Sequence, residues 1–194
     1  MILYILVSFT VGLQGGMFEL KGEDIISPSF GPSYGIFCDF YMTPNLSYDL
    51  SFQMAKAPAS TRTTAIVYDS TGQQVFSEVR GEDFQYFKGS LSVNWFPFTT
   101  IISPSLSAKL GLEQWKFVSG GEVVQSLNGN DFEGISLFLG GGGGLRCELV
   151  GFVLSAEVFS DFIFTENKDW SGGFGGYDDN EWDIEVIFKL GKEF

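Results

Sequence analysis

The last thirteen residues restrict the fold more than any other stretch. Trp182, Ile184, Val186, Phe188 and Leu190 recur at every second position, and the series continues through Lys192 to Phe194. Between them lie Asp183, Glu185, Ile187, Lys189, Gly191 and Glu193. A two-residue period sends successive side chains to opposite faces of an extended strand, and it does not fit the 3.6-residue repeat of an amphipathic helix. The stretch also exceeds the roughly 9–11 residues that carry a tilted strand across a bilayer. It reads as the closing strand of a small transmembrane β-barrel.

The same alternation recurs upstream. Ile36, Cys38, Phe40 and Met42 oppose Phe37, Asp39 and Tyr41, and after the Thr43-Pro44-Asn45 turn Leu46, Tyr48, Leu50, Phe52 and Met54 oppose small or polar residues. Further strands are expected from Phe87 to Trp95, across Leu106–Glu113, from Ile135 to Leu149 and from Leu154 to about Thr165. A short first strand at Phe18–Lys21 brings the count to eight. Connections two, four and six are short, whereas three, five and seven are long and polar, around 57–83, 118–134 and 167–180. Short turns at one end and long loops at the other are the pattern of an up-and-down barrel inserted from one side. The expected fold is therefore all-β, an eight-stranded antiparallel up-and-down transmembrane β-barrel.

No run approaches the roughly 20 apolar residues of a membrane helix, so a membrane-spanning form of this chain must be a closed barrel. Residues 1–16 (MILYILVSFTVGLQGG) read as a signal peptide, an imperfect one with no Lys or Arg before its apolar run and no Ala-x-Ala site. Residues 17–194 are then one barrel domain. The net charge of −13 makes nucleic acid a poor partner. Cys38 and Cys147 fall on strands two and six and are expected to be free thiols.

Alternation alone does not say which face is inside. A secreted lipocalin-like barrel carrying an apolar ligand would turn the apolar face inward. Three features place it outside instead. The polar faces are small and carry charges of both signs, as the narrow interior of eight strands requires. The apolar face is almost free of charge, and a Lys or Arg at the lipid midplane costs roughly 2–4 kcal/mol. Tyr34, Trp95, Trp115, Trp182 and Phe194 sit near strand ends, where interfacial aromatics belong. The residues expected in the lumen are Glu19, Lys21, Asp39, Asp49, Lys88, Lys109, Glu113, Arg146, Glu148, Glu157, Asp161, Asp183, Glu185 and Lys189.

SYDLSFQMA after a Pro-Asn turn, the LGGGGGLR run and the terminal FKLGKEF resemble the eight-stranded outer-membrane β-barrel proteins of Gram-negative bacteria, of the OmpA transmembrane domain and OmpX type. The likeness spans about 17–194 and lies in pattern. It implies residence in the cell outer membrane, contact with outer-membrane lipid and insertion by the barrel assembly machinery. It also implies that Phe194 is part of the assembly signal. Lys192 departs from the apolar or aromatic residue usual at the third position from the end.

Sites for chemistry are few. Gly140–Gly144 lacks the Gly-Lys-Ser/Thr of a phosphate loop and reads as backbone that bends or packs closely. Asp178, Asp179, Asn180 and Glu181 with Asp183 do not follow the calcium-loop spacing, so no metal is assigned. The lumenal charges would line a narrow solute channel or pair with each other, and pairing suits a filled interior. Histidine is absent, so no side chain titrates near neutrality without a large shift. No catalytic residue and no cofactor are assigned. The expected function is a monomeric, non-enzymatic barrel whose outward loops serve envelope structure or adhesion to a surface ligand.

Overall fold

The computed structural model describes residues 8–21, 30–58, 62–68, 74–80, 83–123, 133–164 and 181–194. Eight strands form one closed antiparallel ring: β1 (Ser8–Lys21), β2 (Gly31–Thr43), β3 (Leu46–Ala57), β6 (Asp83–Trp95), β7 (Ile102–Ser119), β9 (Glu133–Leu149), β10 (Phe152–Phe164) and β11 (Glu181–Glu193). Each strand pairs with its neighbour in sequence, and β1 pairs with β11 to close the seam. β4 (Arg62–Tyr68) and β5 (Gln74–Arg80) form a separate hairpin between β3 and β6, and β8 (Glu122–Val123) turns back to pair antiparallel with the end of β7.

The side chains alternate as a membrane barrel requires. Leu50, Phe52 and Phe188 are exposed on the outer face, whereas Asp49 and Glu185 are buried at 1% and 0% exposure. That orientation excludes a soluble barrel with an apolar ligand inside. A belt of Leu, Ile, Val and Phe circles the outside, and in lipid it is the only arrangement that leaves neither backbone nor charge unsatisfied. Cys38 and Cys147 are free.

Four expectations need correction. β1 starts at Ser8 rather than near residue 17. Thr10–Gly16 pair with β2 on one side and β11 on the other, so residues 8–16 are part of the barrel wall. Residues 1–7 lie outside the described part. With β1 at its full length, its outward face is Val11, Leu13 and Met17, and Phe18 and Leu20 turn inward to 1% and 0% exposure. Glu19 therefore lies on the outward face, across from the exposed Ile184. The side chain of Lys21 is outside the described part. Trp115 is buried inside the barrel rather than in a girdle, whereas Tyr34, Trp95, Trp182 and Phe194 are exposed. The stretch expected to be an irregular polar loop around 57–83 contains the β4–β5 hairpin, with seven residue pairs from Arg62↔Arg80 to Tyr68↔Gln74.

The glycine run on β9 has a packing reason. Gly140, Gly142 and Gly144 face the interior and pair with Asp161, Phe159 and Glu157 of β10. A Cβ at 140 would overlap the Asp161 carboxylate, and one at 142 would meet the Phe159 ring at 2.7 Å. The wall is left bare so that the neighbouring strand's large side chains can reach the axis. Gly140→Ala is expected to cost about 1–3 kcal/mol, the range for overpacking. Gly141→Ala is expected to be near neutral, because a Cβ there meets only the Ser107 carbonyl at 3.9 Å. Chemical unfolding of the two variants in detergent measures the difference.

Candidate functional site

The lumen is the site that strand parity builds, and it is filled in layers. At the long-loop end the inward residues are apolar: Phe18, Leu20, Ala57, Phe84, Trp115, Phe117, Phe138 and Ile163 form one buried cluster. Phe84 meets Phe117 edge-on at 5.2 Å, and Phe18 meets Tyr86 at 4.7 Å. Trp115 Nε1 donates to Ser136 Oγ at 2.9 Å, so its one polar atom is satisfied.

Beneath this plug lies a charged layer centred on Lys88 of β6. Its ammonium stands 2.5 Å from Asp183, 2.9 Å from Glu185, 3.0 Å from Asp161 and 3.3 Å from Glu113. Lys109 of β7 reaches Asp161 at 2.7 Å and Glu185 at 2.8 Å. Tyr86 donates its hydroxyl to Glu185 at 2.9 Å and accepts from Gln53 at 3.1 Å, which accepts from Gln14 at 3.3 Å. The two ammonium groups also sit over aromatic faces, Lys88 over Phe138 at 4.6 Å and Lys109 over Phe159 at 4.4 Å.

A second charged layer follows toward the short turns. Lys189 of β11 joins Glu157 at 2.9 Å and Asp49 at 3.2 Å. Asp39 and Asp49 are direct cross-strand partners. Like charges in that position repel, and Asp39 is held instead by Ser47 at 3.1 Å, Tyr41 at 3.2 Å and Asn94 at 3.3 Å. At the mouth the Arg146 guanidinium stacks on Tyr41 at 4.2 Å and Phe96 at 5.0 Å, and bonds the half-exposed Glu148 at 2.6 Å. This end opens into a cavity of about 1200 Å³ lined in part by Thr43, Thr100 and Ser103.

The residues read from the sequence as lumenal thus separate clearly. Asp39, Asp49, Lys88, Lys109, Glu113, Arg146, Glu157, Asp161, Asp183, Glu185 and Lys189 are buried, and Glu148 stands at the mouth. Glu19 is outside the set. Sequence reasoning missed the neutral members, Tyr41, Tyr86, Gln14, Gln53, Asn94 and Phe138, although the parity of their strands places them on the charged face.

The chemistry open to this arrangement is narrow. Asp161, Asp183 and Glu185 offer oxygens within 4.8 Å of one another. The Lys88 ammonium already occupies the position a cation would take among them. Asp178, Asp179 and Asn180 lie outside the described residues, and Asp183 belongs to the Lys88 cluster. The ammonium groups of Lys88, Lys109 and Lys189 are each paired with buried carboxylates inside the lumen, while Asp161 Oδ1, Asp183 Oδ1 and Asn94 Oδ1 are buried without a hydrogen-bond partner.

No protein-family model matches the chain, and no curated protein sequence matches it. Its fold does match solved structures over nearly full length. Neisserial surface protein A aligns with a TM-score of 0.62 at 15% identity, covering 96% of this chain and 97% of that one. Ail, the attachment invasion locus protein of Yersinia pestis, gives 0.57 at 12% identity, covering 97% and 99%. A major outer membrane protein of Thermus thermophilus gives 0.54 at 15% identity, covering 96% and 99%. At such identities the likeness is one of fold: this chain has the fold of the eight-stranded outer-membrane β-barrels.

Proposed function

We propose that the protein is a monomeric, non-conducting and non-enzymatic barrel of a bacterial outer membrane that presents its long connections at the cell surface for attachment. The observation that carries this reading is the filled lumen. Among the described residues the interior is occupied by an aromatic layer and two ion-paired layers, which supports a closed lumen and leaves function to the loops that the ring holds. The β4–β5 hairpin is the largest ordered piece of those connections among the described residues. The names of two structural neighbours, a surface protein and an attachment protein, point the same way. Phe194 is held at the barrel seam. Its backbone exchanges hydrogen bonds with Phe9 at 2.9 and 3.3 Å, and the two rings stack at 5.5 Å across the β1–β11 seam.

Two measurements test the proposal. In planar phospholipid bilayers the purified barrel is expected to give no conductance steps. Replacing residues 62–80 by a short Gly-Ser linker should leave the heat-dependent gel mobility of the folded barrel intact and abolish adherence of expressing cells to protein- or glycan-coated surfaces. Steady conductance, or adherence unaffected by the replacement, would overturn it.

A further inference from the structure

One sector of the short-turn rim carries exposed apolar residues beside the exposed Thr99 and Thr100. In the six-residue connection between β6 and β7, Phe98 and Ile101 are exposed. In the two-residue turn between β9 and β10, Val150 is 100% exposed. Its φ is 46°, followed by 79° at Gly151. A hairpin turn of this kind takes Asn, Asp or Gly at both positions, and a β-branched residue is an outlier there. Asparagine would suit both that backbone and water; valine suits neither.

These residues share one sector. The Ile101 carbonyl accepts from Glu148 N at 3.0 Å, and the Gly151 carbonyl accepts from Glu193 N at 3.0 Å. Directly above them Ile102, Leu149 and Phe152 are exposed members of the outer belt, so the patch continues that belt to the tips of the turns. Lys192, the cross-strand partner of Phe152, extends over the Phe194 ring at 5.2 Å. An ammonium on an apolar stem at the edge of such a zone matches the phosphate level of a bilayer.

We propose that this sector is sunk in the phospholipid leaflet on the short-turn side. Phe98, Ile101 and Val150 lie at the boundary of acyl chains and headgroups, and the Lys192 ammonium meets lipid phosphate. The strained valine is thereby an anchor, and this sector is set deeper than the adjoining Thr43-Pro44-Asn45 turn, whose Asn45 exchanges hydrogen bonds with Phe96 at 2.6 and 2.9 Å. The inference rests on the outer belt being in contact with lipid, and the test separates the two.

Spin labels are placed on Phe98→Cys, Val150→Cys, Leu139→Cys and Asn45→Cys in a background where Cys38 and Cys147 are replaced by Ser. Each barrel is folded into phosphatidylethanolamine/phosphatidylglycerol vesicles and used only if it shows folded gel mobility. Power saturation then compares collision with oxygen and with a water-soluble nickel chelate. At 98 and 150 the oxygen-to-nickel ratio is expected to fall below that at 139, which lies near mid-height, and to exceed that at 45 several-fold. Ratios at 98 and 150 as low as at 45, with 139 still oxygen-rich, would overturn the anchor while leaving the barrel in the membrane. A low ratio at 139 as well would overturn the membrane reading and the anchor with it.

Discussion

Lys88→Met is expected to destabilise the folded barrel by about 3–5 kcal/mol, the cost of leaving buried charges without their counter-ion. Methionine preserves most of the volume, so the loss is electrostatic. Four carboxylates from three strands, Glu113, Asp161, Asp183 and Glu185, would face one another with Lys109 as the remaining cation near them. Lys109→Met should fall in the same direction and cost less, because Lys109 reaches only two of those groups. Urea unfolding in phospholipid vesicles, followed by tryptophan fluorescence, gives the ranking. Combining Lys88→Met with Asp161→Asn and Asp183→Asn should recover much of the loss, since it removes the charges that the ammonium neutralised. If Lys88→Met unfolds with the wild-type protein, the cluster does not hold the strands together and the filled-lumen account fails.

Leu139→Lys is expected to cost about 2–4 kcal/mol, the penalty for a basic residue at the middle of the lipid face. Leu139 lies near mid-height on β9, exposed on the outer surface between Leu110 and Phe162. A lysine there is too far from either rim to reach water. Glu133→Lys, on the same face at the long-loop end of β9, should cost no more than about 1 kcal/mol, the repulsion from its cross-strand partner Lys116. Equal stability of the Leu139 and Glu133 variants in vesicles would mean that lipid does not contact this face.

Much of this molecule is legible in the residue order, and the legible part has one cause. Wherever a strand is buried on one side only, its composition must alternate, so β2, β3, β6, β10 and β11 can be read directly, each with its lipid and lumen faces. The charges of Asp49, Lys88 and Glu185 mark the inner face because lipid tolerates them nowhere else. The reading fails where both faces are apolar or both are small. β1 is the clearest case: Phe18 and Leu20 look like an outward pair until Thr10 and Gln14, buried on the same parity, show which side is in. Trp115 misleads for the same reason, since an aromatic near a strand end belongs to a girdle on one parity and to a plug on the other. The β4–β5 hairpin stays hidden because its strands are not held to the alternation of the ring.

Alternation, strand number and the in-out assignment of most charges were thus settled by the order of residues alone, because a bilayer imposes those requirements strand by strand. Which carboxylate meets which ammonium was not. Lys88 lies 73 residues from Asp161 and 95 from Asp183 in sequence. They meet only because the ring closes β1 on β11 and sets each strand's stagger against the next. Register and closure are properties of the whole sheet, so the layered plug, the bare glycine wall and the strained Val150 turn emerge only when all eight strands are in place.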